Sequence, residues 1–345
     1  MAHKLDLDLR RRSDMLLACS EVQSGRAIPD GGERETEGER AAREARLVAR
    51  QASAEAKRSR DGEIGARERQ KAISQGRGIY LNAAGGAGTE AETYLRRRVG
   101  AGALPDAIWE NLRFAPAHSY WHGKDARGHD VERHCGPALI APLVDLDGRV
   151  TGCHQTWIDL AAPPKLRPAL RDDAGAPLPA KKMRGHKKGS LIPVLGDLDR
   201  GRWVVGEGIE TVLAVARFEG WRADTFYAAA GDIGNIAGPA DPESAFSHPE
   251  LRRQDAKGRW KPVRVAGPVP KPESAGEAFG LPPHVTALVL LADGDSEFVA
   301  TASAMARAEA RLGRDGLDLA TWWPPAGGDW ADLGVRISEL EGEAA

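Results

Sequence analysis

The stretch WVVGEGIETVLAVAR, residues 203–217, decides how the second half of the chain is read. Trp203, Val204 and Val205 make an apolar run short enough for a buried strand, Gly206 breaks it, and a helical run follows from Ile209. Glu207 therefore sits where a strand hands over to a helix. In an open parallel sheet that edge is where ligands bind, because loops and helix N-termini converge there. The same grammar recurs outward from this stretch, in TFYAAAG (225–231), TALVLLAD (286–293) followed by EFVATASAMARAEARLG (297–313), and LDLATWWPP (317–325). Continuous apolar strands alternating with helices predict an α/β fold with a parallel sheet covered on both faces.

Three of these strand ends carry acids: Glu207, the pair Asp293 and Asp295, and Asp329 with Asp332 shortly after the last strand. Any one of them alone reads as an ordinary turn or cap residue, as Glu210, Thr211, Ser296 and Glu297 do at the starts of their helices. Repetition at successive strand ends is what points to a site. Crowded carboxylates repel one another unless a cation neutralises them, and hard oxygen ligands suit Mg²⁺ or Mn²⁺. Such an ion supports phosphoryl or nucleotidyl transfer. Gly206, Gly208 and Gly294 are expected to allow tight turns and a close approach of phosphate to the backbone.

The chain of 345 residues has room for two domains, and 48 basic against 50 acidic side chains leave a net charge of −2 that identifies no partner. Cys19, Cys135 and Cys153 form no CxxC pair and are expected as free thiols in a soluble, cytoplasmic protein. No apolar stretch is long enough to cross a bilayer, and MAHKLDLDLRRR lacks the apolar segment of a signal peptide. Residues 1–78 read as a charged arm, partly helical or disordered, whose stretch from Gly31 to about Gly76 is rich in Glu, Arg and Ala and has little to bury.

Residues 79–199 read as an α+β lead-in domain. Thr89 and Gly100 bracket a short helix, and ALIAPLVDLDGRVTGCHQTWID (138–159) reads as a hairpin turning at Asp147 and Gly148. At its end the basic loop PAKKMRGHKKGS gathers Lys181, Lys182, Arg184, Lys187 and Lys188, a patch suited to phosphates of a nucleotide or template. Residues 200–335 form the parallel-sheet domain, interrupted at about 239–283 by a Pro-rich, charged insertion, and 336–345 form a tail. Within the insertion, Trp260 among Arg252, Arg253, Lys257, Arg259, Lys261 and Arg264 is a second place suited to a single strand. Trp322 and Trp323 read as sheet core. No GxxxxGK[ST] marks an ATPase.

The motifs VVGEGIETVLA (204–214), VLLADGDSE (289–297) and PPAGGDWADL (324–333) resemble the glutamate, DxD and trailing acidic motifs of Toprim domains. They are most similar to the primase-like Toprim proteins of phages, plasmids and integrated mobile elements, and the segment from IYLNAAGG to GCHQTWI, residues 79–158, resembles the region that precedes Toprim in them. The resemblance implies a Rossmann-like Toprim sheet, Glu207 at the reacting centre, and Asp293, Asp295 and Asp329 with Glu207 around a divalent metal. Its expected activity is nucleotide joining on single-stranded DNA or RNA from nucleoside triphosphates, in DNA replication alongside a separate helicase. A metal-dependent nuclease and a non-catalytic nucleic-acid-binding protein are the alternatives. The sequence departs from the primase pattern at Thr211, where an acid is usual, and in the long insertion.

His134, Cys135, Cys153 and His154 could suggest zinc. If the hairpin turns at Asp147 and Gly148, however, Cys153 faces Pro142, roughly 23 Å along the strand from Cys135, against ligand distances near 2 Å. Elemental analysis of the purified protein is therefore expected to find no stoichiometric zinc, and one bound equivalent would contradict the hairpin argument.

Overall fold

The computed structural model describes residues 14–16, 18–19, 37–272, 274, 276–294, 296–325 and 328–343. The chain divides into two compact units, 1–68 and 69–345. Helix α1 (Glu37–Asn82) runs four residues past the expected arm boundary at 78. Up to residue 68 almost every described side chain is exposed, as a sequence with few large apolar residues requires. No helix among the described residues is long and apolar enough to cross a membrane.

In the second unit, the last turn of α1 carries Tyr80, buried against the antiparallel sheet that follows. Strands β1 (Ala84–Gly85), β2 (Arg113–Lys124), β3 (Asp130–Val144), β4 (Val150–Trp157), β5 (Leu170–Arg171), β6 (Pro177–Leu178) and β7 (Lys181–Gly185) come first. Five of them pair antiparallel in the order β1-β2-β3-β4-β7, and β5 pairs with β6 alone. Helix α2 (Glu90–Val99) starts and stops where the sequence places it. The Thr89 hydroxyl accepts the Ala91 N–H, and Gly100 ends the helix in the left-handed region at φ 63°. The hairpin register sets Cys153 against Pro142, as the turn at Asp147 and Gly148 predicts. Cys153 and His154, adjacent in β4 and so on opposite faces, are both buried. A central strand packed on both faces leaves neither side to water. Burial pushes the Cys153 thiol up to about 12.

The second sheet is built from β8 (Ile192–Leu195), β9 (Arg202–Gly206), β10 (Thr225–Ala229), β13 (Ala287–Leu291) and β14 (Asp318–Trp322), in the order β14-β13-β9-β10-β8. Four strands run parallel and β8 closes the edge antiparallel. The sheet is therefore mixed, and it takes a strand from residues N-terminal to the boundary expected at 200. Between β10 and β13, strands β11 (Phe246–Gln254) and β12 (Trp260–Val265) pair only with each other.

Side chains alternate across this sheet as strand geometry demands. Val204, Tyr227, Val289 and Leu291 share a core with α2 and with α3 (Ile209–Phe218). Trp203, Val205, Phe226, Leu288 and Leu290 face Ile236 of α4 (Ile233–Ala237) and Met305, Ala308 and Leu312 of α5 (Phe298–Leu312). Helix α6 (Trp330–Glu343) extends past the expected boundary at 335 and packs on α2 and α3, with Arg217 of α3 donating to the carbonyls of Val99 and Gly334.

One buried charge joins the two sheets. Glu210, in the first turn of α3, is 4 % exposed. Its carboxylate accepts from Tyr94 Oη of α2 at 2.5 Å, from Arg167 Nη2 at 2.8 Å and from Lys181 Nζ of β7 at 2.8 Å. Burial alone would raise its pKa, but Lys181 and Arg167 outweigh that and hold the carboxyl well below the usual range. His154 lies in the same interior, where burial and then the Lys181 charge push it down to about 3.

Removing one partner strands the others as uncompensated buried charges. Glu210→Ala is therefore expected to cost about 3–5 kcal/mol in denaturant unfolding, near the full cost of breaking a buried pair. His154 supplies a pH dependence of defined sign. Because its pKa is lowered on folding, the unfolded chain binds more protons, and stability is complete above the unfolded value and falls as pH drops from about 6.5 toward the folded value. Urea unfolding of His154→Gln against the parent is expected to remove up to about 1.4 kcal/mol per pH unit of that slope.

Candidate functional site

Parallel pairing fixes which loops meet. Val205 of β9 stands beside Leu290 of β13, and Leu291 beside Trp322 of β14. Continuing each strand by one or two residues brings Glu207 and Asp293 out at the same edge, on neighbouring strands. The turn after β9 is braced by β10, with the N–H of Ala230 donating to Gly206 O and that of Gly231 to Glu207 O. Glu207 and Asp293 are both half-buried. Ser296 Oγ donates to Asp293 Oδ2 at 3.0 Å.

The loop bearing Asp329 joins this edge. Trp330 Nε1 donates to Ala292 O at 3.1 Å, and a Cβ on Gly294 would stand 2.0 Å from Gly328 O. The missing side chain of Gly294 is thus used by the neighbouring loop rather than left open for phosphate. Gly206 is filled the same way, since a Cβ there would stand 3.0 Å from Val212 and 3.3 Å from Leu291. Asp329 precedes α6 and its carbonyl accepts the N–H of Leu333. Asp332 turns away toward Arg98, 3.4 Å distant. Asp295 lies outside the described residues.

Carboxylates alone are the right donors for a hard divalent cation. Among the described residues, however, no three His, Cys, Asp or Glu side chains stand close enough to hold a metal ion. Beside the edge, a cavity of about 410 Å³ is lined by Asp293, Gly294, Ser296, Phe298, Trp323 and Pro324. Trp322 packs against the core as expected. Trp323 departs from expectation, being 37 % exposed with its ring 5.2 Å from that of Phe298.

The basic segment is not a loop at its start. Lys181–Gly185 is strand β7, and its period of two sends adjacent cations to opposite faces. Lys181 points inward to Glu210, so it is no part of an exposed patch. Lys182 and Arg184 point outward, where Lys182 Nζ bonds the Trp121 carbonyl and lies 3.7 Å from the Tyr120 ring centroid. Lys187 pairs with Asp232 and Lys188 with Glu277.

What the sequence reading missed is the company Lys182 and Arg184 keep. They line a groove of about 590 Å³ with His118, Trp121, Gln155 and Trp157. His118 stacks on Trp157 at 5.1 Å and its Nε2 meets Gln155 Oε1 at 2.7 Å, while Trp121 is 50 % exposed. Cations beside an exposed ring, here Trp121, are what a single strand of nucleic acid uses. Alternation along FAPAHSYWH (114–122), with bulges where β2 meets β3, hid the grouping.

A family profile described as a domain of unknown function, DUF7146, matches residues 70–194. No curated protein matches the chain significantly. Among solved structures, the DnaG primase catalytic domain bound to ssDNA aligns with 81 % of this chain and 81 % of its own at 17 % identity and a TM-score of 0.44. A DNA primase domain from Pseudomonas aeruginosa aligns over 79 % of this chain and 77 % of its own, at 17 % identity and 0.42. The E. coli primase catalytic core covers 74 % and 71 %, at 16 % identity and 0.39. The structural neighbours of this chain are thus primase catalytic domains.

Proposed function

We propose that this protein is a primase-like nucleotidyltransferase that joins nucleotides on a single-stranded template at the Toprim-like edge of its parallel sheet. The observation that carries the reading is the arrival of Glu207 and Asp293 at one sheet edge from neighbouring parallel strands, with the Asp329 loop packed against the same turn. In this reading Asp293 and Asp329, together with Asp295, would hold Mg²⁺ or Mn²⁺, which takes one or two carboxylates with waters and substrate phosphates. The ion, when bound, would lower the pKa of the attacking hydroxyl and offset charge on the triphosphate.

The chain's own groups do the rest. Glu207, fixed by a turn whose carbonyl is tied to Gly231, takes the proton that the attacking hydroxyl releases. The new bond forms to the α-phosphorus of the incoming nucleotide and pyrophosphate leaves. Ser296 orients the Asp293 carboxylate. The groove at Lys182, Arg184, Trp121 and His118 takes the template through phosphates and stacked bases. A separate helicase opens the duplex, in DNA replication of a mobile element.

The test is synthesis on a single-stranded template with nucleoside triphosphates and Mn²⁺. Extended products are expected from the parent, with roughly a hundred-fold loss or more in Glu207→Gln and in Asp293→Asn, and with oligonucleotide binding retained in both. Shortened strands would make the reaction hydrolytic, and full activity in both variants would refute the assignment.

A further inference from the structure

Among the described residues, β11 and β12 of the insertion form a two-stranded ribbon with no third strand and almost no core of its own. Along Phe246–Gln254 and Trp260–Val265 only His248 and Val265 are buried, while Leu251 is 46 % and Trp260 63 % exposed. A lone hairpin in water is marginal, so the ribbon must be held at its base. Arg307 of α5 does this by donating to the carbonyls of Gly238 and Gly267, at the two ends of the excursion. His248 adds a second anchor. Its Nδ1 accepts the N–H groups of Glu250 and Leu251 at 3.0 and 2.8 Å, which leaves Nε2 as the protonated nitrogen, donating to Glu297 Oε1 at 2.9 Å. Glu297 in turn caps α5 through the N–H groups of Val299 and Ala300, and the His248 hydrogen bond and these two hold its carboxyl down at about 2. The ribbon is therefore fastened to the helix that begins just after Asp293.

Its charge is one-sided. From 250 to 264 six cations stand against Glu250 and Asp255. Asp255 closes the turn by accepting from Lys257 N and Arg259 N and pairs with the Arg259 and Lys261 side chains. Among the described residues, the Arg252, Arg253 and Lys257 side chains have no acidic partner. The register sets Gln254 against Trp260 and Arg252 against Pro262, so Arg252 and Trp260 share one face, while Arg253 and Lys261 share the other.

We propose that this ribbon is a binding arm for single-stranded nucleic acid, with Arg252, Arg253 and Lys257 on phosphates and a base stacked on Trp260. The proposal rests on the reading above for the identity of the anionic partner. Cations alone would serve any acidic surface. An exposed indole on the same face as an unpaired guanidinium favours a strand whose bases are unstacked and available.

The experiment is fluorescence anisotropy of the full chain with a labelled oligothymidylate and with a duplex of equal length, over a series of KCl concentrations and without nucleotide. In the triple variant Arg252→Ala, Arg253→Ala, Lys257→Ala, the slope of log K against log salt is expected to shrink by about 2, with roughly ten-fold weaker binding. Trp260→Ala is expected to weaken binding to the single strand about five-fold or more with the slope unchanged. Unchanged thermal unfolding in both variants shows that the exposed ribbon alone is altered. Parent-like affinity and slope in the triple variant overturn the proposal, as do equal binding of the duplex and indifference to Trp260→Ala. No synthesis is read, so an inactive sheet edge leaves a positive result standing and a failed ribbon leaves the catalytic reading standing.

Discussion

The carboxylate of Glu210 stays ionised in the interior because the Lys181 and Arg167 charges and the Tyr94 hydroxyl reach it. Those partners come from α2, from the connection after β4 and from β7, whereas Glu210 belongs to the helix that leaves the Glu207 turn. A hydrophobic interface tolerates small sliding of one layer on another. A three-partner hydrogen-bonded charge does not, because each partner's geometry is fixed by the other two. The antiparallel half is thereby locked in position against the helix whose N-terminus adjoins the candidate site. The apolar contacts of Tyr94, Leu95, Val99, Val212 and Leu213 supply the burial around it.

Much of the parallel sheet was legible because its signals are local. Short apolar runs ending in Gly or Asp, each followed by a helical run, identify β9, β13 and the helices after them without reference to anything distant. The Thr89 cap and the Asp147–Gly148 turn were legible for the same reason. The edge strand β8 was not, since four apolar residues between a basic segment and a turn carry no mark of which sheet they join. Nor could the role of Glu210 be seen. In the sequence it is one more acid in a first helical turn, and only the fold brings partners 29, 43 and 116 positions away to it.

The candidate site shows the same division. Strand order and register bring Glu207 and Asp293 to one edge, and the sequence pattern foresaw that strand ends would do so. It misjudged Gly206 and Gly294, because the space they leave is taken by Val212 and Leu291 and by Gly328. It also pooled five cations by proximity in sequence. Lys181 went to the interior, Lys187 and Lys188 to acids, and Lys182 and Arg184 to a groove whose rings come from β2 and β4.

The pleat of β7 makes core and surface heritable as one unit. Thr156 faces Lys181 and Gln155 faces Lys182 across the strand pair, so the parity of this short segment decides both which ammonium neutralises the interior and which ones meet solvent. The turn at 172–176, clear of Arg167, can lengthen or shorten through evolution at little expense. A slip of the strand itself by one position would exchange the faces of Lys181 and of Lys182 and Arg184, disturbing the buried pair at Glu210 and the groove in the same event. Drift is thus free in the loop and forbidden in the five residues it delivers.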